Sequence, residues 1–336
     1  MGAGGFALGQ AVDGGDNSAA VVNTVAPVAE VEAAAPSTVA PVTPAPRSEP
    51  ITPGAEPAAD VARIIGPSVV QVETNRGQGS GVVYADGLIL TNHHVIDDAS
   101  QVRIRTEDGR VIETEVLGSD PRNDIAVLSA PGSNLPIATI GSSADLEVGQ
   151  LTVAIGSPFQ LQQTVTAGIV SSVNRPVPNN VGGLSSMIQT DAPINPGNSG
   201  GALANRSGEL VGINASIRTD GTGNSNVGIG FAVPIDTAIS VAERIVSGES
   251  LEPGVLGVSG GGEDADIGVP IDEVFDGSGA ESAGIQVGDR IVSIDGAPVT
   301  AITEVVGLVQ SNFSGDTIEV EVLRDGERIT VAATLQ

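Results

Sequence analysis

Residues 195–201 read Asn-Pro-Gly-Asn-Ser-Gly-Gly, and this run places Ser199 among glycines on both sides. A serine in such a run sits on a sharp turn with its hydroxyl exposed. Gly197 lets the backbone bend, so that its own N–H and that of Ser199 point to one spot. With Asn198 between them, the three residues form a candidate oxyanion hole. On these residues alone, a glycine-rich turn without chemistry is the alternative.

A serine nucleophile needs a base, and histidine is the usual one near neutral pH. The chain has only two histidines, His93 and His94, and they are adjacent. Two neighbouring side chains do not both face one serine, so one of them is a bystander. A histidine pair at the surface without a catalytic role is the alternative at this point.

The third component is a carboxylate that fixes the imidazole tautomer and stabilises its charged form. Asp124 heads the apolar run 125–128 and is therefore predicted to be half-buried, whereas most other acids lie in polar turns or tails. The order histidine, aspartate, serine along the chain is that of the chymotrypsin-type enzymes and differs from that of subtilisin and the α/β-hydrolases. The sequence therefore predicts a catalytic triad.

The chain around these residues is a succession of short apolar runs separated by turns, which is typical of a β-barrel or β-sandwich rather than a βαβ sheet. A helical pattern over 234–246 closes this unit, which we assign to residues 58–247. Residues 254–336 form a further small unit with strands and one helix. The predicted strands of the first unit are 69–73, 81–84, 87–91, 101–106, 111–118, 125–129, 152–155, 164–173, 186–190, 202–204, 210–217 and 228–233.

The composition excludes several classes of function. The formal net charge is −27, with 14 basic residues against 41 acidic ones, so a nucleic-acid partner would be repelled. There is no cysteine, which excludes disulfides, thiol catalysis and cysteine-ligated zinc. Aromatic residues make up only 2% of the chain, so the core is built from aliphatic side chains.

The N-terminal segment 1–57 is rich in alanine and proline and shows no lasting period, which predicts a disordered linker. Its first eleven residues are small and apolar but too short to span a bilayer. They are either the outer end of a membrane anchor or a frayed start.

Six motifs in order resemble those of the high-temperature-requirement A (HtrA, or Deg) serine proteases. The family pattern Thr-Asn-x-His-Val assigns the base to His94 and leaves His93 as the variable position. The resemblance implies a chymotrypsin-like double six-stranded β-barrel followed by one PDZ domain. The motifs are Gly-Ser-Gly-Val-Val at 79–83, Thr-Asn-His-His-Val at 91–95, Asp-Ile-Ala-Val-Leu at 124–128, Gly-Ser-Pro-Phe at 156–159, Gln-Thr-Asp-Ala at 189–192 and Gly-Asn-Ser-Gly-Gly at 197–201.

The resemblance also implies roles for single positions in the protease unit. Arg175 matches the basic residue of a regulatory sensor loop. Ile194 and Ile229 match wall positions of the primary specificity pocket. Neither is an acid, so the pocket is expected to prefer a small or medium apolar side chain over lysine or arginine.

The C-terminal unit resembles a PDZ domain, with residues 280–296 matching the middle of such domains. Leu256, Gly257 and Val258 stand where the carboxylate-binding loop is expected, and the following strand would accept a C-terminal peptide by β-augmentation. A generic small β-domain is the alternative.

The implied function is endoproteolysis of unfolded or damaged proteins of the bacterial envelope, outside the cytoplasm. No metal or organic cofactor is implied. A chaperone, or a PDZ binding scaffold with little turnover, is the alternative function. Relatives often form homotrimers through aromatic residues before the first barrel, and the stretch 58–71 has none, so a homotrimer is less expected here.

Overall fold

The computed structural model describes residues 56–157, 163–217, 228–261 and 267–336. The predicted linker over 1–57 lies almost entirely outside these residues. The described part is mainly β, with two closed six-stranded barrels and a third sheet, which confirms the predicted fold class. No helix among the described residues has the length and apolarity needed to cross a membrane.

A short helix, α1 (Pro57–Ile65), and a 3-10 turn at Gly66–Ser68 lead into the first barrel. The barrel closes in the order β1-β2-β3-β6-β5-β4, and its alternating apolar residues fill the interior, where each fully buried Val, Ile or Leu contributes about 1.5–3 kcal/mol. Between β3 and β4 lies the one-turn helix α2 (His93–Ile96). The strands are β1 (Val69–Thr74), β2 (Gln78–Ala85), β3 (Leu88–Thr91), β4 (Val102–Arg105), β5 (Val111–Asp120) and β6 (Ile125–Ser129).

The second barrel closes in the order β10-β11-β12-β9-β8-β7, the same pattern as the first. Helix α3 (Ile235–Ser247) follows it and ends at Gly248, whose φ of +74° gives the left-handed cap that glycine adopts without strain. The strands are β7 (Leu151–Gly156), β8 (Thr164–Pro178), β9 (Leu184–Thr190), β10 (Ala202–Ala204), β11 (Leu210–Ile217) and β12 (Gly230–Pro234).

The two barrels are joined by a shared hydrophobic cluster, which we call the inter-barrel cluster. It unites side chains from both barrels, α1 and α3, so the cleft between the barrels rests on a common core. Its buried members include Val61, Ile65, Val69, Leu90, Ile125, Val153, Ile155, Ile213, Val233, Val241 and Phe313.

The C-terminal unit is a sheet in the order β13-β14-β15-β17-β18, with β16 paired to β15. Its own core is separate from the inter-barrel cluster. The elements are β13 (Val258–Gly260), β14 (Val269–Val274), α4 (Gly279–Ser282), β15 (Arg290–Ile294), β16 (Ala297–Pro298), α5 (Ile302–Gln310), β17 (Thr317–Arg324) and β18 (Glu327–Thr334).

The C-terminal unit packs on the second barrel through α5. The Gln310 side-chain oxygen accepts a hydrogen bond from the Leu184 N–H (3.1 Å), and the Ser311 hydroxyl accepts one from the Ser186 N–H (3.2 Å). Both acceptors lie at or just after the end of α5, and both donors lie on β9. The end of the helix is therefore fixed to the strand that precedes the serine loop.

Candidate active site

The serine loop connects β9 to β10 and is held in place by Ser80 of β2. The Ser80 hydroxyl donates to the Gly197 carbonyl (2.6 Å), and the Ser80 N–H donates to the Ser199 carbonyl (2.8 Å). Gly200 has a φ of +83°, and a Cβ there would lie 2.1 Å from the Ser80 carbonyl oxygen. Only glycine fits this close approach of the loop backbone to β2.

The two N–H groups on either side of Asn198 have no acceptor within the described chain. The N–H of Asn198 donates to the Asn195 carbonyl (2.9 Å), so this member of the predicted oxyanion hole is committed elsewhere. Within the described chain, neither Gly197 nor Ser199 donates a hydrogen bond from its N–H. Gly197 has a φ of +101°, which only glycine adopts readily. Both residues therefore keep a backbone donor that the described chain does not use.

His94 and Asp124 form a doubly linked pair across the first barrel. Asp124 Oδ2 lies 2.7 Å from His94 Nδ1, and Asp124 Oδ1 accepts the backbone N–H of His94 (3.0 Å). Because a carboxylate only accepts hydrogen bonds, Nδ1 carries the proton in the neutral imidazole and Nε2 keeps its lone pair. This is the tautomer that a general base at Nε2 requires.

Asp124 is the last residue of the turn between β5 and β6, and its φ of +54° is in the left-handed region. Its backbone carbonyl accepts a hydrogen bond from the Asn92 side chain (2.9 Å), which ties the turn to the segment that carries His94. The residue is 8% exposed, so it is more deeply buried than the sequence predicted.

The Ser199 hydroxyl is bonded to a backbone carbonyl of β11. It donates to the Ala215 carbonyl (3.0 Å), and within the described chain no hydrogen bond joins Ser199 to His94. The hydroxyl must therefore give up the Ala215 carbonyl before it can donate to Nε2. Such loose contacts are common in substrate-free sites and tighten when substrate binds.

His93 faces a different set of groups. Its Nδ1 lies 3.0 Å from the Ser119 hydroxyl, and its Nε2 lies 3.7 Å from Asp97 Oδ1. The two histidines thus point to different neighbours, and the structure brings only His94 to Asp124.

The solved structures that the chain resembles include HtrA-type proteases. An HtrA-type protease, AlgW, solved with a tripeptide, is 34% identical to the chain with a TM-score of 0.62, and the match covers 83% of this chain and 96% of that one. The chain belongs to the HtrA-type protease family. A serine endoprotease from Yersinia pestis is 36% identical with a TM-score of 0.55, and the match covers 86% of this chain and 99% of that one.

Family models and curated relatives give the same assignment. The trypsin-like peptidase domain matches residues 79–213, and the PDZ domain matches 254–335. A probable periplasmic serine endoprotease, DegP-like, from Pseudomonas fluorescens is 41% identical over 76% of this chain. The periplasmic pH-dependent serine endoprotease DegQ from Escherichia coli is 40% identical over 77% of it. The chain spans 56% and 59% of the length of these two relatives.

A cavity of about 270 Å³ opens beside the His94–Asp124 pair of this HtrA-type protease. Met187 and Ala215 line it, as do the β8 residues Val177 and Pro178. It adjoins the imidazole on the side of the second barrel.

The two positions predicted to form the specificity pocket differ in exposure. Ile194 is 1% exposed and packs in the core of the second barrel, where it closely faces Gly230. Ile229 is half-buried and packs against the inter-barrel cluster. Both side chains are apolar and lie next to β12. Their role as walls of the specificity pocket stays a prediction.

Arg175 lies in strand β8 and not in a loop, because β8 continues to Pro178 instead of ending near 173. Its Nε donates to the Gln189 side chain on β9 (3.1 Å). The residue therefore bridges the two strands on which α5 packs, and its sensor role stays a prediction.

The predicted carboxylate-binding loop borders an apolar cavity of about 160 Å³ in the C-terminal unit. The Leu256 and Gly257 carbonyls accept N–H groups from Ala280 (2.9 Å) and Phe275 (3.0 Å), while the N–H groups of Leu256 and Gly257 donate no hydrogen bond within the described chain. The other wall of the cavity is α5, which contributes Ile302, Val305, Val306 and Val309.

Three residues that support the site had no assigned role in the sequence analysis. Ser80 holds the serine loop, and Arg122, a residue of the turn that ends at Asp124, contacts the Phe313 ring. The glycines on both sides of Ser80 are a sequence pattern from which its supporting role could have been predicted. The contact between Arg122 and Phe313 joins positions 191 residues apart, and no local pattern indicates it.

Proposed function

We propose that this HtrA-type protease is a serine endopeptidase with Ser199 as nucleophile, His94 as base and Asp124 as the carboxylate that orients it. The observation that carries the proposal is the His94–Asp124 pair, in which a neutral imidazole keeps its lone pair on Nε2, together with the N–H groups of Gly197 and Ser199, which have no acceptor within the described chain. These are the parts that acyl transfer needs.

The reaction starts when the Ser199 hydroxyl leaves the Ala215 carbonyl and turns to His94. Oγ bonds to the scissile carbonyl carbon while its proton passes to Nε2, and the oxyanion accepts hydrogen bonds from the N–H groups of Gly197 and Ser199. The C–N bond then breaks, and the protonated His94 gives its proton to the leaving amine. Water repeats the sequence, with the same base, to release the acid.

The substrates we propose are unfolded or damaged proteins of the cell envelope. Relatives are named as periplasmic enzymes, which supports an extracytoplasmic location. Apolar residues at 194 and 229 would leave a lysine or arginine side chain without a counter-charge, and burying such a cation is costly. Cleavage is therefore expected after Val, Ala, Ile or Leu.

The PDZ domain is proposed to bind the free carboxyl end of apolar peptides. The support is the pair of unused N–H groups at Leu256 and Gly257 beside an apolar wall. Arg175 is proposed to relay this binding, because α5 lines the peptide cavity and also packs on the strands that Arg175 bridges.

One observation favours the alternative of a binding scaffold or chaperone with little turnover. The Ser199 hydroxyl donates to the Ala215 carbonyl and not to His94, which is a non-reactive arrangement. If this arrangement persisted with substrate, peptides would bind without cleavage.

The test is labelling with a fluorophosphonate probe, followed by mapping of cleavage sites in unfolded casein. The probe is expected to attach to Ser199, and Ser199→Ala should abolish both labelling and cleavage while the far-ultraviolet circular dichroism spectrum is unchanged. Equal turnover by the purified Ser199→Ala protein, or predominant cleavage after lysine or arginine, contradicts the proposal. Binding of casein without cleavage by the wild-type protein favours the scaffold.

A further inference from the structure

Phe313 belongs to the C-terminal unit by sequence but to the protease by packing. It follows α5 and precedes β17, yet its fully buried side chain lies in the inter-barrel cluster and not in the core of its own sheet. The C-terminal unit therefore supplies one of the largest buried side chains of the protease core.

The Phe313 ring lies between two arginines of the protease unit. The guanidinium carbon of Arg122 is 4.9 Å from the ring centroid, and that of Arg244 is 4.6 Å from it. Such distances give cation–π attraction, which strengthens when the cation is desolvated. Arg244 also pairs with Asp316, whose carboxylate accepts the Phe313 N–H (2.9 Å). This second contact fixes the backbone on which the ring is carried.

Arg122 depends on the ring more than Arg244 does. It is 8% exposed, and within the described chain its Nε and Nη1 have no hydrogen-bond partner. Its Nη2 pairs with Asp120 at 3.4 Å. Burial lowers the pKa of the Arg122 guanidinium, which reflects how poorly the cation is compensated. The face of Phe313 supplies a further favourable contact.

Arg122 is also part of the turn that presents Asp124. The Arg122 N–H donates to Asp120 Oδ1 (2.9 Å), and the Arg122 carbonyl accepts the Ser185 hydroxyl (2.8 Å). Two residues later Asp124 has the left-handed φ of +54°, a conformation that persists in a non-glycine residue only where the surroundings hold it. The position of Arg122 therefore bears on the direction of the Asp124 carboxylate.

We infer that Phe313 is a positioning residue for catalysis: through Arg122 it holds the turn that directs Asp124 at His94. The C-terminal unit then contributes to the basal reaction with no peptide in its groove. The inference rests on the proposed function, because it assigns a consequence to the Asp124–His94 pair. Deleting residues 254–336 would remove this contact along with the peptide site.

The test compares full-length variants on a short chromogenic peptide substrate whose carboxyl end is blocked, so that it does not use the PDZ carboxylate site. Phe313→Leu keeps an apolar side chain but loses the ring face. It is expected to lower kcat roughly tenfold with KM unchanged, since a small misplacement of a catalytic group has effects of this size or larger. Ile318→Val is the matched control, because Ile318 lies in the separate core of the C-terminal sheet and displaces no catalytic group. Its kcat should stay within about twofold of wild type.

A double-mutant cycle separates positioning from loss of stability. Arg122→Ala removes the other side of the contact and should lower kcat by a similar factor. The double variant Phe313→Leu with Arg122→Ala should be no worse than either single variant. If Phe313→Leu does not fold, Arg122→Ala alone decides, because Phe313 stays buried in it. A wild-type kcat in Arg122→Ala, or full additivity in the cycle, overturns the inference.

Failure of the inference differs from failure of the proposed function. If wild type hydrolyses the peptide and Ser199→Ala does not, the proposed function holds, and the cycle alone decides the role of Phe313. If wild type and Ser199→Ala are equally inactive, both are overturned.

Discussion

The catalytic cleft and the peptide groove of the C-terminal unit are held by different forces. In the cleft, buried polar groups fix each other: Ser80 holds the serine loop through two hydrogen bonds, and Asp124 holds His94 through two more. In the groove, one wall is apolar and the other offers unused backbone N–H groups at Leu256 and Gly257. Polar networks lose function steeply when one member is removed, whereas apolar walls change affinity gradually.

The largest effect is expected from the base. His94→Ala leaves Ser199 without a proton acceptor, so kcat should fall by several orders of magnitude, on the order of 10⁶ as for other serine proteases that lose this residue. His93→Ala is the matched control, because His93 contacts Ser119 and Asp97 instead of Asp124. It should keep most of the activity in a casein assay. If the loss appeared in His93→Ala and not in His94→Ala, the assignment of the base would be wrong by one residue.

The next effect concerns the glycine that lets the serine loop approach β2. Gly200→Ala places a Cβ 2.1 Å from the Ser80 carbonyl, so the loop must move and kcat should fall at least about 100-fold. Gly109 has nearly the same φ, +84°, but a Cβ at that position would meet nothing within 4 Å, so Gly109→Ala has the backbone strain without the clash. That control should stay active. Equal activity in both variants would mean that the loop tolerates displacement.

A smaller effect is expected from the ion pair inside the C-terminal sheet. Arg324 donates to both oxygens of the buried Asp289 (2.7 Å each), and these hydrogen bonds hold the pKa of Asp289 below its ordinary value. Because the folded form binds the proton less tightly than the unfolded form, this stabilisation is present above the ordinary pKa near 4 and is lost as pH falls through the lowered pKa of the folded state.

Asp289→Asn should therefore destabilise the C-terminal unit by about 1–3 kcal/mol at neutral pH, and the difference from wild type should shrink in acid. Hydrogen exchange of the β15 amides at pH 7 and near pH 3 measures it. The pair of the exposed Arg328 and the half-buried Glu321 provides the control, and Glu321→Gln should change the free energy of exchange of these amides by less than about 1 kcal/mol. A difference between wild type and Asp289→Asn that grows as pH falls would contradict the assigned sign.

The sequence predicted the local features well and the long-range ones poorly. The twelve strand runs of the protease unit and the helix after them follow from patterns within a few residues, and the barrels contain strands at each of these places. The extension of β8 to Pro178 was missed, and with it the location of Arg175 in a strand. Helix α5 was recognisable, but the burial of Phe313 in the other unit was not, because its partner Arg122 is distant in sequence.

The smallest effect is expected in the groove. Peptides with a free apolar carboxyl end should raise the cleavage rate several-fold, because a ligand shifts the resting arrangement of Ser199 only by as much as it prefers the reactive one. Amidated versions should fail, since they lack the carboxylate that the N–H groups of Leu256 and Gly257 would hold.

Val306→Asp puts a charge on the apolar wall of the groove and should abolish the response to peptide without changing the basal rate. Val287→Asp, at an exposed position outside the groove, should keep the response. Arg175→Ala should lower the response while peptide affinity, measured by fluorescence polarisation on the full chain, is unchanged. Equal stimulation by free and amidated peptides would show that the carboxylate loop is not the activating site. The groove would then be better described as a tether for substrate. It would differ from the catalytic cleft in contributing only affinity for the substrate.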